Sequence, residues 1–153
     1  LIARLIATWF YSGYFPKGPG TAGSVVAIAM AWAIHEATGI GGVAFALLAV
    51  LLSIPGVWAA DVIAKTSGKE DPQIVVVDEV IGQWVTLAGA ATLGTWKPWL
   101  IALVLFRIFD MTKPWPIRKL EELHGGLGIV ADDVLAGVYA AVVLFAAGRY
   151  HLY

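Results

Sequence analysis

Five apolar stretches, roughly residues 22–36, 42–60, 80–95, 98–109 and 129–147, are separated by polar or Gly/Pro-rich segments. This pattern predicts an all-α bundle of about five apolar helices. Gly18-Pro19-Gly20-Thr21-Ala22-Gly23-Ser24 reads as a turn opening the first of them, with Thr21 or Ser24 as its N-cap. That helix is expected to reach Thr38 and stop at Gly39, Gly41 and Gly42. A second is expected from Val43 to about Lys65, with Pro55-Gly56 placed to kink it. A third starts near Asp78 and fades at Gly94, Lys97-Pro98 makes a tight reversal, and a fourth runs from about Trp99 to Thr112, stopped by Pro114 and Pro116. Lys119–Gly128 reads as a polar connector and Ile129–Gly148 as the last helix. Residues 1–15 are interrupted by Arg4 and lack a cleavage-type end, so they predict a short amphipathic lead-in helix and not a signal peptide.

An up-and-down arrangement of these helices fixes which ends meet. The start of the first, end of the second, start of the third, end of the fourth and start of the fifth must share a side. That side collects ten of the eleven acidic residues, all but Glu36, and eight of the ten Lys and Arg. Only Lys97 and Arg149 lie opposite. An excess of Lys and Arg in short loops marks the cytoplasmic face, so the charged end is expected to face the cytoplasm.

Composition supports a membrane setting. The 153-residue chain is expected to be a single domain, and it is 59% hydrophobic and only 14% charged. Its mean hydropathy of +0.80 is far above that of soluble proteins. Seven Trp and five Tyr suit two water–lipid boundaries. The 98–109 stretch falls short of the ~20 residues that cross a bilayer core, a deficit met by polar helix ends or local thinning. The fold expected is a polytopic membrane helix bundle. With no cysteine, disulfides, thiolate nucleophiles and cysteine zinc sites are excluded. No basic tract is present, which argues against a nucleic-acid partner.

The charged side chains define candidate chemistry. Asp132-Asp133 sits in the apolar context Gly128-Ile-Val-Ala and Val134-Leu-Ala-Gly. Two adjacent carboxylates there repel each other and lose solvation, a conflict that a bound Mg²⁺ resolves. Asp78-Glu79 taken alone would only complement the positive end of its helix. Asp61 and Lys65, four apart, would alone be a surface ion pair. Arg107, Asp110 and Lys113 fall on one helical stripe. Gathered at one end, these groups suit a divalent metal held next to a phosphate. Mg²⁺ takes carboxylate and phosphate oxygens, Arg grips phosphate by a forked contact, and Lys acts as a point charge. The Gly-rich turn at Thr21 and Ser24 offers backbone N–H groups as a second anion cradle or is a plain turn. His124 is a candidate acid, ligand or loop residue, while His35 and His151 fall on the far side.

Four ordered blocks carry a family resemblance: Pro19-Gly-Thr-Ala-Gly-Ser24, Ile74-Val-Val-Val-Asp78-Glu79-Val-Ile-Gly82, Phe106-Arg-Ile-Phe-Asp110-Met-Thr-Lys113-Pro-Trp-Pro-Ile-Arg118 and His124-Gly-Gly-Leu-Gly-Ile-Val-Ala-Asp132-Asp133-Val-Leu-Ala-Gly137. Over about residues 11–148 the chain resembles the phosphatidylglycerophosphatase A family of bacterial inner-membrane lipid phosphatases, with no departure at the charged positions of these blocks. The resemblance implies Mg²⁺-dependent hydrolysis of the terminal phosphate of phosphatidylglycerophosphate, giving phosphatidylglycerol and phosphate on the cytoplasmic side. It carries a lipid substrate within membrane lipid as the partners. Some relatives are soluble helical proteins, so the membrane expectation rests on composition.

The residues expected to do the chemistry are Asp78, Glu79, Asp132 and Asp133, as metal ligands or base, with Asp110 and Asp61 near. Arg107 and Lys113 are expected to bind phosphate, followed by Lys65, Thr21, Ser24 and His124. Direct attack by metal-activated water is the expected route, and an aspartyl-phosphate intermediate its competitor. A small cation transporter is the rival from another class, since intramembrane carboxylates also mark ion paths. Against it, the carboxylates cluster at one edge. A phospho-alcohol transferase would carry an Asp-Gly-x₂-Ala-Arg spacing that this sequence lacks.

Overall fold

A computed structural model describes residues 1–153, and it contains helices and no strands. Seven α-helices follow in order: α1 (Ile2–Ala7), α2 (Pro19–Thr38), α3 (Gly42–Ser67), α4 (Val77–Thr86), α5 (Trp96–Thr112), α6 (Ile117–Leu120) and α7 (Gly126–Arg149). Short 3₁₀ turns at Ser12–Tyr14 and Leu87–Gly89 complete the set.

The shortest of the expected core helices sits at the centre. Eight of the ten residues of α4 are buried, Asp78 and Gln83 among them. Around it stand α2, α3, α5 and α7. Trp84 of α4 donates its indole N–H to the Ala27 carbonyl of α2 at 3.1 Å. Gly56 of α3 packs on Ile81, and Gly82 of α4 lies against Phe106 of α5 and the Asp133 carbonyl of α7. Small residues at these crossings let the backbones approach closely, which is how helices associate where no water is available to drive them together.

The sheathing helices are apolar outside as well as inside. Val43, Leu47, Val50, Leu51, Ile54 and Trp58 of α3 are all exposed. So are Leu100, Val104 and Ile108 of α5 and Val142 and Phe145 of α7. A helix apolar all round is either a protein core or a membrane span. Both α3 and α7 are long and apolar enough to cross a membrane, and only 28% of the most apolar window of α3 is buried. By that measure α3 is no soluble core helix.

Several expected boundaries shift. The third helix does not run to Gly94; it ends at Thr86 and passes into the 3₁₀ turn. There Gly89 is wedged against the Ala141 carbonyl and Gly42 against the Leu87 carbonyl, leaving no room for a further regular turn. At about 1.5 Å per residue, α4 covers only about half of a bilayer core. Lys97-Pro98 is not a reversal but part of the first turn of α5, where proline's missing N–H has no partner to lose. Neither Thr21 nor Ser24 caps α2. Pro19 occupies its first turn with its φ already near the helical value, and Gly18 takes the cap position with φ +66°. The connector at 119–128 contains the end of the short α6, and α7 begins three residues before Ile129.

Candidate active site

The parity argument places the ends of five segments together, and the structure brings four of them, all but the end of α3, around one cavity of about 590 Å³. Its wall includes Pro19 and Gly20 from the start of α2, Asp78 and Glu79 from the start of α4, and Arg107 and Asp110 from the end of α5. Lys113, just past α5, and Asp132 and Asp133 from the second turn of α7 complete the inner wall. His124 lies at the mouth, exposed.

Three carboxylates converge. One oxygen each from Asp78, Glu79 and Asp133 lie within 4.8 Å of one another. Asp78 and Asp133 are 8% and 4% exposed, so water does not compensate their charge. Asp78 Oδ1 and Glu79 Oε2 are buried without any hydrogen-bond partner. Carboxylate oxygens left bare this way are costly unless something fills the gap between them. The spacing and oxygen-only donor set fit a hard divalent cation.

Asp132, the neighbour of Asp133, faces elsewhere. Its Oδ2 accepts a hydrogen bond from Lys113 Nζ at 2.6 Å, and the same ammonium reaches Glu121 at 2.7 Å. Burial alone would lower the Lys113 pKa, but its bonds to Asp132 and Glu121 outweigh this and push it above the ordinary lysine value. Arg107 pairs with Asp110 one turn along α5 and lies 3.9 Å from Glu79. A side chain on Gly20 would collide with the Glu79 carboxylate, so the N-terminus of α2 closes directly over the ion pair. The arrangement sets three carboxylates that could hold a cation beside the positive charges of Arg107 and Lys113.

Four of the expected residues lie outside the cavity wall. Asp61 accepts the Gly126 N–H at 3.4 Å and pairs with Lys65 at 2.6 Å, so it ties the end of α3 to the start of α7. Gly125 fits there with φ +72° because a Cβ would sit 2.6 Å from the Asp61 oxygen. Lys65 extends into solvent, with 75% of its side chain exposed. Thr21 is exposed, and the buried Ser24 hydroxyl donates to the Gly20 carbonyl at 3.0 Å.

Gln83 went unnoticed in the sequence. It is fully buried one helical turn beyond Glu79, and neither end of its amide has a partner. A lone amide within the apolar 80–95 stretch, spaced four from a carboxylate, was the signal available.

The site thus sets a largely buried carboxylate triad beside Arg107 and Lys113 at one end of a helical bundle. The phosphatidylglycerophosphatase A family profile matches residues 5–148, and the chain belongs to that family. It is a phosphoric monoester hydrolase by that membership. The chain is 40% identical over 149 residues to phosphatidylglycerophosphatase A of Escherichia coli, covering 96% of this chain and 84% of the relative. It is 36% identical over 144 residues to phosphatidylglycerophosphatase A of Haemophilus influenzae, covering 94% and 86%. A Bacteroides thetaiotaomicron protein named "Putative phosphatidylinositol-3-phosphatase" is 41% identical over 143 residues, covering 92% and 89%. No solved structure is significantly similar to the chain.

Proposed function

We propose that this protein removes the terminal phosphate of phosphatidylglycerophosphate in a Mg²⁺-dependent reaction at the cytoplasmic face of a bacterial inner membrane. The observation that carries the reading is the convergence of Asp78, Glu79 and Asp133 within 4.8 Å. Their cavity also presents Arg107 and Lys113. Two of the relatives are named for this substrate. A lipid substrate fits a bundle whose outer faces are apolar, with α2, α3, α5 and α7 read as the lipid-facing sheath and the short α4 as its plug. The clustering of basic residues at the cavity end supports the cytoplasmic orientation.

Asp78, Glu79 and Asp133 would hold the Mg²⁺, with Asp132 and Asp110 beside them. A bound divalent cation neutralises phosphoryl charge and lowers the pKa of water towards neutrality. Arg107 grips phosphoryl oxygens by its forked N–H groups, and Lys113 adds a point charge. Asp78 Oδ1 or Glu79 Oε2, both buried and unpartnered, would accept the proton of the attacking water and return it to the lipid oxygen as its bond to phosphorus breaks, giving phosphate and the lipid alcohol. The N-terminus of α2, whose Gly20 lines the cavity, would offer backbone N–H groups to the same anion.

The test is phosphate release by the purified full chain in detergent, from phosphatidylglycerophosphate and from phosphatidylinositol 3-phosphate, with Mg²⁺ or with chelator. Release from the first, abolished by chelation and by Asp133→Asn, is the expected result. Release that survives both treatments removes the metal-phosphatase reading. Faster turnover of the phosphoinositide reassigns the substrate and leaves the chemistry intact.

A further inference from the structure

Six side-chain polar atoms are buried without a hydrogen-bond partner, and they belong to five residues. Asp78, Glu79, Arg107 and Asp132 line the cavity, where a bound ligand can satisfy them. Gln83 is the fifth. It lies outside the cavity wall, is 0% exposed, and leaves both Nε2 and Oε1 unpartnered. Stranding a buried amide is costly, and an apolar side chain of the same shape would serve the fold at least as well.

The other polar side chains deep in α4 are accounted for. Thr86 donates to the Gly82 carbonyl, and Trp84 donates to the Ala27 carbonyl. Gln83 stands four residues after Glu79, one turn further along the same helix face, whereas Asp78, five residues away, is turned well off that line. Helical side chains lean towards the N-terminus, which brings the Gln83 amide up towards Glu79. Glu79 Oε1 faces Gly20 and Arg107, and Oε2 faces no partner. A stranded donor and a stranded acceptor therefore occupy adjacent turns of one face, both sealed from water.

We propose that Gln83 is a positioning residue for the cation site: its amide N–H donates to Glu79 Oε2 and fixes the plane in which that carboxylate meets the cation. The inference rests on the triad holding a divalent ion. Hydrogen bonds that orient a ligating carboxylate from behind change metal affinity by about 10–100-fold. Gln83 itself touches neither cation nor substrate. With Glu79 Oε2 so engaged, Asp78 Oδ1 is the freer of the two oxygens to accept a proton from water.

The experiment compares Mn²⁺ binding to the detergent-solubilised full chain, read by electron paramagnetic resonance of the free ion, for wild type and Gln83→Met. Methionine keeps the unbranched length and removes the amide. Mn²⁺ affinity should fall about tenfold or more. The melting temperature in chelator should stay equal or rise. The Mg²⁺ concentration for half-maximal phosphate release should rise in proportion, with kcat at saturating Mg²⁺ within about threefold of wild type. If Gln83→Met does not fold, Gln83→Leu takes its place with the same expectations. Unchanged Mn²⁺ affinity in a folded variant overturns the positioning role and leaves the triad reading standing. Weaker binding accompanied by a lower melting temperature in chelator, or failure of both variants to fold, assigns the amide to the fold and overturns it too. A wild type that binds no Mn²⁺ overturns both readings.

Discussion

Gly82 of α4 and Gly137 of α7 lie backbone against backbone, so close that a Cβ on Gly137 would be 3.1 Å from both the carbonyl carbon and the Cα of Gly82. Thr86 reinforces the contact, donating its hydroxyl to the Gly82 carbonyl at 2.9 Å. This crossing lies one turn from Asp78 and Glu79 on α4 and one turn from Asp133 on α7, so it sets the spacing of the triad. Gly137→Ala should push the helices apart and cost about 1–3 kcal/mol of stability. Phosphate release should fall more than stability does, because the carboxylates lose their common focus. A thermal melt paired with a Mg²⁺ titration of activity tests this. Unchanged Mg²⁺ affinity in a destabilised variant would break the link between crossing and site.

Asp133→Asn should separate stability from function in opposite directions. Asp133 is buried close to Asp78 and Glu79, and in chelator no cation offsets their mutual repulsion. Removing one of three like charges relieves that repulsion, so the metal-free variant should melt higher, by about 1–3 kcal/mol equivalent. Activity should fall about 100-fold or more. Adding Mg²⁺ should raise the melting temperature of the wild type but not of the variant, since a ligand stabilises only the state that binds it. Differential scanning in chelator and in Mg²⁺ gives both comparisons. A variant that melts lower than wild type in chelator would show that the triad is not strained.

Asp61 should behave as a structural residue. It was grouped with the site because helix parity puts it on the charged side, yet it lies outside the cavity wall and receives the Gly126 N–H at the start of α7. Asp61→Ala should lower the melting temperature only modestly, through the loss of its contact with the start of α7. Turnover should fall less than about tenfold, against about 100-fold or more for Asp133→Asn. Steady-state kinetics of both variants at equal folded fraction decide the matter. An Asp61→Ala enzyme as inactive as Asp133→Asn would return Asp61 to the chemistry.

The side on which each charged residue falls was readable because it depends only on the number and order of helices. Asp78, Glu79, Arg107, Asp110, Lys113, Asp132 and Asp133 accordingly share one cavity. Which carboxylates converge was not readable. Asp132 and Asp133 are adjacent, so they lie about 100° apart around α7, and only the packing of α4 and α5 decides which meets the triad and which meets Lys113. The length of α4 was hidden for a related reason. Its sequence stays apolar to Leu93, and the close approach of α3 and α7 at Gly42 and Gly89 ends the helix. Gln83 was masked by the hydrophobic run in which it sits.

Lys113 should carry its charge throughout the working range. Its pKa is raised above the ordinary lysine value, where the bonds to Asp132 and Glu121 outweigh burial. For a base with a raised folded pKa, the stabilisation is fully present below the unfolded pKa and lost only as pH climbs through the folded one. That window lies above about pH 10.4, the unperturbed lysine value, and outside the range of the assay. Lys113→Arg keeps the charge but exchanges a point ammonium for a wider fork, so it should raise KM by about tenfold. Its rate profile from about pH 6 to 9 should superimpose on that of the wild type after scaling. Lys113→Met removes the charge, leaves Asp132 buried without its partner, and should cost about 3–5 kcal/mol of stability as well as most activity. The measurement is kcat/KM against pH for wild type and Lys113→Arg. An alkaline limb present in the wild type and absent in the arginine variant would mean that Lys113 titrates within the assay range, and its assignment as a permanent phosphate grip would fall.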